Sequence, residues 1–291
     1  MKKLQNWWIH LVFILFSCSI IVPVIAIVAI SLSSETDIIQ NGFSLIPRAI
    51  DLSGYEYVLK NPMTVLNAYK VTIIMTVFAV VIYLLMASMA AYALSIENFA
   101  YKNIIVKFLL FNMLFTPGMV PSYLLMTQYL DLKNTYAALI IPLLHNVFNV
   151  FIMRTFISQL PGALRESAMI DGLNEFGIYF RIILPLSKPV LATIGVMMLI
   201  NDWNSWNQAL LYTDEPNMYP IQYMLQIMLR NIQEMTNNMD KMPAGIASFA
   251  DIPTNSTRMA MAVLAAGPAM FIFPFFQKYF VKGMTVGAVK G

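Results

Sequence analysis

Runs of about 20 apolar residues recur along this sequence, and a helix needs a run of that length to cross the hydrocarbon core of a bilayer. Only 11% of the 291 residues are charged and 59% are hydrophobic, whereas about a quarter of the residues in a soluble domain are charged. Six spans are predicted, at residues 8–32, 71–94, 104–129, 135–157, from about 189, and at 259–280. The expected fold class is an all-α integral membrane protein with six transmembrane helices, in a single domain over residues 1–291.

The segments between the spans differ in charge. Lysine and arginine are concentrated at the two termini, around residues 97–107 and in the loop at about 158–188, and an excess of these residues favours the cytoplasmic side. We therefore expect both termini and the 158–188 loop to be cytoplasmic. Of the outer loops, at about 33–64 and 213–257, the first is expected to be irregular apart from a short surface helix at 53–61.

The third and fourth spans contain prolines near their middle. The third contains Pro117, Gly118 and Pro121, and the fourth contains Pro142 near its middle. Proline removes an intrahelical hydrogen bond, which a membrane helix tolerates where protein or a water-filled cavity covers the freed backbone. The third span is therefore expected to be kinked, either to line a cavity or to improve packing.

The cytoplasmic loop between the fourth and fifth spans, LPGALRESAMIDGLNEFGIYFRIILPLSKP, is the only long segment between apolar runs that is rich in both signs of charge. Pro161 suits the start of a helix, where its missing N–H costs nothing. Ala163, Leu164, Ala168 and Ile170 predict an apolar stripe on that helix. Gly172 is a candidate C-cap, because glycine adopts left-handed backbone readily. A second amphipathic helix follows, as far as Pro185.

The spacing in this loop resembles the pattern E-A-A-x3-G-x9-I-x-L-P of ABC importer permeases. The matching residues are Glu166, Ser167, Ala168, Gly172, Ile182, Leu184 and Pro185, with Ser167 in place of the first alanine. The segments LPLSKPVLATIG, DWNSWNQALLY and YFVKGMTVGAVKG extend the likeness to the carbohydrate-importer permeases of the maltose type. Within that family, the chain is most similar to the branch that imports oligosaccharides and related glycosides.

This resemblance implies a type I importer permease that pairs with a second, homologous permease, a cytoplasmic ABC ATPase dimer and an extracellular solute-binding protein in a bacterial cytoplasmic membrane. Carried over by position, the ATPase-coupling residues are Glu166, Ser167, Ala168, Asp171, Gly172, Leu184 and Pro185. Glu166 would be the charged contact, Ala168 the close-packing contact and Gly172 the turn. The tail at 283–291 is a candidate second contact, and residues 231–250 could project into the binding protein.

The chain is not expected to be an enzyme or to bind a cofactor of its own. The sequence contains neither G-x4-G-K-[ST] nor G-x-G-x-x-G, so ATP and Mg²⁺ would be bound by a separate ATPase. With one cysteine, Cys18, and two histidines, His10 and His145, a metal cluster or a Cys/His catalytic site is not expected. The net charge of +3 does not suggest nucleic acid as a partner.

The polar segment NDWNSWNQ, residues 201–208, falls inside the fifth span. On a helix that turns 100° per residue, Asp202, Trp203, Trp206 and Asn207 share one broad face, so these four are the substrate-path candidates. Indole faces combined with amides and a carboxylate suit sugars. The alternative is an interfacial aromatic belt with polar contacts between helices.

A different class of function also follows from Asp202, which is the one acid within an otherwise uncharged span. An acid at that depth is a candidate coupling group. On this interpretation the chain would be an ion-coupled secondary transporter that needs no ATPase.

Overall fold

The computed structural model describes residues 2–238 and 254–270. Apart from an isolated bridge between Ser33 and Ile50, the regular structure of these residues is helical. In chain order the helices are α1 (Lys2–Ser31), α2 (Glu35–Asn41), α3 (Ser53–Val58), α4 (Pro62–Ser95), α5 (Lys102–Leu114), α6 (Met119–Leu124), α7 (Tyr136–Ile140), α8 (Val147–Ile157), α9 (Gly162–Ile170), α10 (Glu175–Ile178), α11 (Leu184–Leu186), α12 (Lys188–Trp203), α13 (Asn207–Tyr212), α14 (Ile221–Asn238) and α15 (residues 254–270).

Two of these helices, α1 and α4, are each long and apolar enough to cross a membrane alone, and three bent pairs raise the number to as many as five among the described residues. The first predicted span corresponds to α1, and the second lies within α4, which is longer than expected. The sixth predicted span, 259–280, is helical as far as residue 270 and otherwise lies outside the described residues.

The third and fourth predicted spans are not continuous helices. α5 and the segment that begins with α6 meet at 113°, where Pro117 lacks an N–H and Gly118 adopts a φ of 86°. The expected kink is therefore a complete break. The fourth span bends by 52° between Leu144 and Val147, after Pro142 has entered a short 3-10 turn at Ile141–Leu144.

The chain forms two compact units, Met1–Asn67 with Met224–Pro268 and Ala68–Tyr223 with Ala269–Gly291. In the second unit, the main core joins α4, α8, α9, α10 and α12. Its most deeply buried members include Ala91, Met153, Ile178 and Ile194. α4 and α12 approach closely at Gly195, where an added Cβ would lie 3.1 Å from Leu84 Cδ1. The core thus includes both apolar helices and the charged loop at about 158–188.

In the first unit, the outer segment after α1 is more ordered than the sequence predicts. It contains α2 and α3, and the helix expected at 53–61 is found over Ser53–Val58. That helix is not purely a surface helix, because Gly54 and Val58 are buried. A Cβ at Gly54 would lie 2.8 Å from the carbonyl carbon of Ser256, so α3 packs directly on the backbone of α15.

The start of α15 is also capped from within the first unit. The carboxylate of Glu35 accepts hydrogen bonds from the backbone N–H groups of Asn255 and Ser256, each at 3.0 Å. It also accepts a hydrogen bond from the side-chain hydroxyl of Thr254 at 3.0 Å. A carboxylate at a helix N-terminus pairs with N–H groups that have no partner inside the helix. The predicted irregular loop therefore contains a cap for the last described helix.

Candidate functional site

The charged loop at about 158–188, predicted to be cytoplasmic, folds as α9, a glycine turn and α10. At the end of α9, the N–H of Leu173 donates to the carbonyl of Ala168 and the N–H of Gly172 donates to the carbonyl of Met169, both at 3.0 Å. With Gly172 at φ 82°, these two bonds form a Schellman C-cap. The predicted left-handed role of Gly172 is confirmed. α9 begins at Gly162, and Pro161 occupies its N-cap, one residue before the expected first position.

The second helix of the loop starts at a side-chain cap that the sequence analysis did not identify. The Asn174 side chain accepts a hydrogen bond from the N–H of Gly177 at 2.8 Å. From there α10 continues through a π-helical turn, Tyr179–Ile183, into α11. The loop then joins α12 at a bend of 74°. The turn at Asp171 and Gly172 thus separates the two arms of a helical hairpin, α9 and the segment from α10 to α11, and the bend before Lys188 ends it.

Three polar side chains fasten this hairpin to the end of α4, and none of them was predicted. Arg165 of α9 forms an ion pair with Glu175 of α10. The Tyr92 hydroxyl of α4 donates to Glu175 Oε2 at 2.6 Å. The hydrogen bond from Arg165 is the main reason that the pKa of Glu175 lies below its ordinary value. Glu175 therefore remains an anion that holds two partners.

A second contact supports the same attachment. Ser88 Oγ and the Tyr179 hydroxyl lie 2.6 Å apart within the core, and the rings of Tyr92 and Tyr179 lie 5.9 Å apart. Residues 88 and 92 are one helical turn apart on α4, so they present neighbouring groups to the loop. A movement of the hairpin would consequently be transmitted to α4.

The predicted coupling residues fall on two sides of the hairpin. Glu166, Ser167, Asp171, Gly172 and Pro185 are exposed, and Leu184 is half-buried. Ala168 is only 3% exposed and packs in the core of this chain. In this chain its close packing is therefore with the chain's own helices, and its role as a contact with the ATPase stays a prediction.

The apolar residues predicted to form a stripe on α9 are mostly uncovered. Ala168 is buried, whereas Leu164 is exposed and Ile170 is 86% exposed. Phe176 of α10 is exposed as well. The tip of the hairpin thus combines the acidic groups of Glu166 and Asp171 with uncovered apolar side chains.

The polar segment 201–208 is not one helix, which corrects the predicted common face. α12 ends at Trp203, Asn204 forms its C-cap, and a separate helix, α13, begins at Asn207. Asn204 turns its side chain back onto the carbonyl of Ile200 at 2.7 Å. Asparagine competes with the backbone in this way, and such competition weakens a helix interior.

This break opens a polar cavity of about 640 Å³. One wall comes from the end of α12 and the turn after it, and the other from the break before α8. Its polar and aromatic lining residues are His145, Asn146, Phe148, Asn149, Asn201, Asp202, Asn204, Ser205, Trp206, Asn207 and Gln208. Two interrupted membrane segments therefore face each other across one space.

Three of the four predicted substrate-path residues, Asp202, Trp206 and Asn207, line this cavity. Trp203 does not line it, because its side chain is 4% exposed and packed inside the protein. The opposite wall, including Asn146 and Asn149, was missed. The available signal was the polar pair His145-Asn146 directly after a proline-containing apolar run, which marks the end of one helix and the cap of the next.

The missed wall is held by well-defined hydrogen bonds. Asn146 caps α8, since its side-chain oxygen accepts from the N–H of Asn149 at 3.2 Å. Its carbonyl accepts from the Tyr83 hydroxyl at 2.5 Å. His145 is hydrogen-bonded to Asn112. These bonds occupy the cap of α8, and Asn149, whose side chain is hydrogen-bonded to Tyr83, lies in the cavity wall.

Asp202 is the one acidic residue of the lining. It is 1% exposed, and its Oδ1 accepts from Asn201 Nδ2 at 3.2 Å. Its Oδ2 has no hydrogen-bond partner among the residues that the structure describes. A buried carboxylate oxygen without a partner is costly, so a ligand hydroxyl that reached it would be favoured.

Comparison with known proteins identifies the kind of protein to which these features belong. Residues 71–286 match the family described as the binding-protein-dependent transport system inner membrane component. Two relatives come from Bacillus subtilis. Protein LplC is 37% identical over 93% of this chain and 90% of its own length. The polygalacturonan/rhamnogalacturonan transport system permease protein YtcP is 32% identical over 100% of this chain and 99% of its own.

A solved structure agrees with the sequence relatives. The crystal structure of a bacterial ABC transporter involved in the import of the acidic polysaccharide alginate contains a chain with a TM-score of 0.81 and 28% identity. The match covers 96% of this chain and 97% of that chain. The break-rich helical architecture is therefore that of an ABC importer permease. Because the family match spans most of its length, the chain belongs to the family of binding-protein-dependent transport system inner membrane components.

Proposed function

We propose that the chain forms half of the translocation pore of an ATP-driven importer of oligosaccharides in a bacterial cytoplasmic membrane. The other half would be a second, homologous permease. A cytoplasmic ABC ATPase dimer would bind ATP and Mg²⁺, and an extracellular solute-binding protein would deliver the sugar. In this arrangement the chain crosses the membrane six times as a single permease domain, with both termini in the cytoplasm.

The observation that carries the proposal is the hairpin of α9 and α10. Its exposed tip offers Glu166, Ser167, Asp171 and Gly172 to a partner, while Glu175 fastens its other side to Tyr92 of α4. A partner that pushed on the tip would move α4 with it. Leu184 and Pro185 lie at the far end of the hairpin, next to the bend into α12. The ATPase is the partner that this geometry suits.

The polar cavity supports carbohydrate as the substrate class. Amides and a carboxylate can bond to hydroxyl groups, and the half-buried ring of Trp206 offers a flat apolar face. The relative YtcP is named for polygalacturonan and rhamnogalacturonan, and the solved relative for alginate. The substrate-path residues that we propose are Asp202, Trp206 and Asn207, together with Asn146 and Asn149.

Two further contacts belong to the proposal and lie on or beyond the edge of the described residues. The tail at 283–291 is a proposed second contact with the ATPase, and it falls outside the described part of the chain. The loop at 231–250 is a proposed contact with the binding protein, and only its beginning, within α14, is described. Neither contact is needed for the argument from the hairpin.

Gentle purification from the native membrane, followed by mass spectrometry, tests the assembly. We expect to recover a second permease and an ATPase, and to lose the ATPase when Glu166 and Gly172 are both replaced. Gly162→Ala is the control, because no atom lies within 4 Å of the position that an added Cβ would occupy and the φ of Gly162 is not in the left-handed region. If the chain is recovered alone and still carries out uptake in proteoliposomes, driven by an ion gradient and abolished by Asp202→Asn, the ion-coupled interpretation replaces this one.

A further inference from the structure

The cavity at the end of α12 has a charge composition that bears on the kind of sugar it accepts. Among its lining residues, all within the described part of the chain, six are asparagine or glutamine, one is aspartate, and none is lysine or arginine. His145 is the one basic side chain there, and it is hydrogen-bonded to Asn112. The wall therefore offers many groups for hydroxyls and no fixed positive charge.

We infer that this cavity selects neutral glycosides and disfavours uronates. The inference rests on the proposed function and names the substrate class of the same site. The substrate inferred for this chain differs from those named for two of its relatives, since alginate is described as acidic and polygalacturonan is built from sugar acids. Those names would otherwise suggest an anionic substrate for this chain.

The first step of the argument concerns anions. When Asp202 is ionised, its carboxylate lies in the wall with one oxygen unpaired, and a uronate carboxylate in the same cavity would meet a like charge. Inside a protein such repulsion is much stronger than in water, because the effective dielectric constant is lower. A binding site for carboxylates is normally built on arginine or lysine, and this wall contains neither.

The second step concerns neutral sugars. Oδ2 of Asp202 is buried without a partner, so a hydroxyl group that came within reach of it would gain an acceptor. Side-chain amides both donate and accept, as sugar hydroxyls do, and the lining contains them from α8 (Asn149) and from α12 and α13 (Asn201 and Asn207). Trp206 adds an apolar face for the C–H groups of a pyranose ring. Each feature fits a polyhydroxylated ligand without charge.

The test compares two trisaccharides that differ only in charge. Trigalacturonate and its carboxyl-reduced counterpart, a galactose trisaccharide with the same linkages, are presented to the intact purified importer in nanodiscs without the binding protein. Saturation-transfer NMR then reports weak binding directly. We expect the neutral sugar to bind and the uronate to bind about tenfold more weakly. Asp202→Asn, which keeps the side chain's shape, should reduce the ratio of neutral-sugar affinity to uronate affinity.

Two comparisons assign the signal to this cavity and keep the outcomes separate. Trp206→Ala should abolish the neutral signal, whereas Trp8→Ala, at an exposed position on α1, should not. Equal binding of both sugars, or a ratio that Asp202→Asn leaves unchanged, overturns the inference, as does the absence of binding by either sugar. ATP-driven uptake of sugars by the same importer is measured in parallel. If one of these binding results is found and no sugar is taken up, the proposed function fails as well. If it is found while uptake persists, only the inference about neutral sugars fails.

Discussion

The hydroxyl of Tyr92 donates a hydrogen bond to Glu175 across 83 residues of sequence, with 2.6 Å between the two oxygens. Tyr92 lies in the last turn of α4, and Glu175 is the first residue of α10. Since Glu175 also pairs with Arg165, one carboxylate joins both helices of the hairpin to α4. Together with the contact between Ser88 and Tyr179, it links the hairpin to α4.

Removing that hydroxyl should weaken the coupling between ATP hydrolysis and uptake. A hydrogen bond to a charged group contributes about 1.5–3 kcal/mol, and Tyr92→Phe deletes it while keeping the ring that packs near Tyr179. We expect ATP hydrolysis by the reconstituted importer to continue while sugar uptake per ATP falls several-fold. Tyr129→Phe, at an exposed tyrosine, should leave sugar uptake per ATP at the wild-type value. Unchanged coupling in Tyr92→Phe would show that the hairpin moves α4 through other contacts.

Substitution of Gly172 should disturb the hairpin without any steric clash. No atom lies within 4 Å of the position that a Cβ would occupy, but φ is +82°, a conformation that costs an ordinary residue about 1–2 kcal/mol. Gly172→Ala should lower ATPase recovery on purification, and Gly172→Val should lower it further, because β-branched residues resist positive φ. Gly162→Ala has equal space and no positive φ. If Gly162→Ala and Gly172→Ala lowered ATPase recovery equally, the left-handed cap at Gly172 would not be what the ATPase contact requires.

The two tryptophans near the end of α12 should respond differently to truncation. Trp203 is buried, so Trp203→Ala should cost about 3–5 kcal/mol of stability and reduce the amount of folded protein in the membrane. Trp206 lines the cavity, so Trp206→Ala should change thermal unfolding little and raise the apparent KM for uptake. Unfolding in detergent and uptake in proteoliposomes measure the two effects. The opposite pattern would reverse the roles assigned to these residues.

The carboxylate of Glu35 predicts a pH dependence in the outer part of the protein. Burial alone would raise the pKa of Glu35, but the hydrogen bonds from Ser256, Asn255 and Thr254 outweigh it and hold the pKa below its ordinary value. The stabilisation is therefore complete above the pKa of the unfolded chain, and it is lost as the pH falls through the lowered pKa of the folded state. Because the Glu35 carboxylate is half-exposed, we expect its charge to contribute only about 1 kcal/mol to the free energy of unfolding.

Hydrogen exchange at the start of α15 is the measurement for this prediction. At neutral pH, Glu35→Gln should exchange faster than wild type at residues 255 and 256, and the difference should shrink as the pH falls. Glu56→Gln, at an exposed glutamate of α3, is the matched control and should show no such difference. A difference that persisted unchanged at acid pH would mean that the charge of Glu35 is not what caps the helix.

Features governed by local chemistry were predictable from the sequence. Gly172 could be assigned to a left-handed cap because the Schellman turn depends on a few consecutive residues. The first two spans could be located because hydropathy depends on composition alone. The common face predicted for residues 201–208 was wrong because a helical projection assumes a continuous helix, and the cap at Asn204 ends α12 within the predicted fifth span.

The remaining errors concern contacts between distant parts of the chain. Nothing in the residues near Glu175 indicates that its partner is Tyr92 of α4. Likewise, Trp203 and Trp206 are equivalent as sequence, and only the packing around α12 buries one and leaves the other on the cavity. Asn149 became a site residue because a second break, before α8, faces the first. Long-range packing of this kind has no counterpart in a local pattern.

The early end of α12 affects the electrical profile of the membrane. At 1.5 Å per residue, its 16 residues extend about 24 Å, less than the hydrocarbon thickness of about 30 Å. If α12 starts at the inner interface, as the proposed orientation requires, a water-filled cavity at its end would replace the outermost part of the insulating layer. The membrane voltage would then fall across a thinner layer, and the electric field along α12 would be steeper than along a continuous helix such as α4.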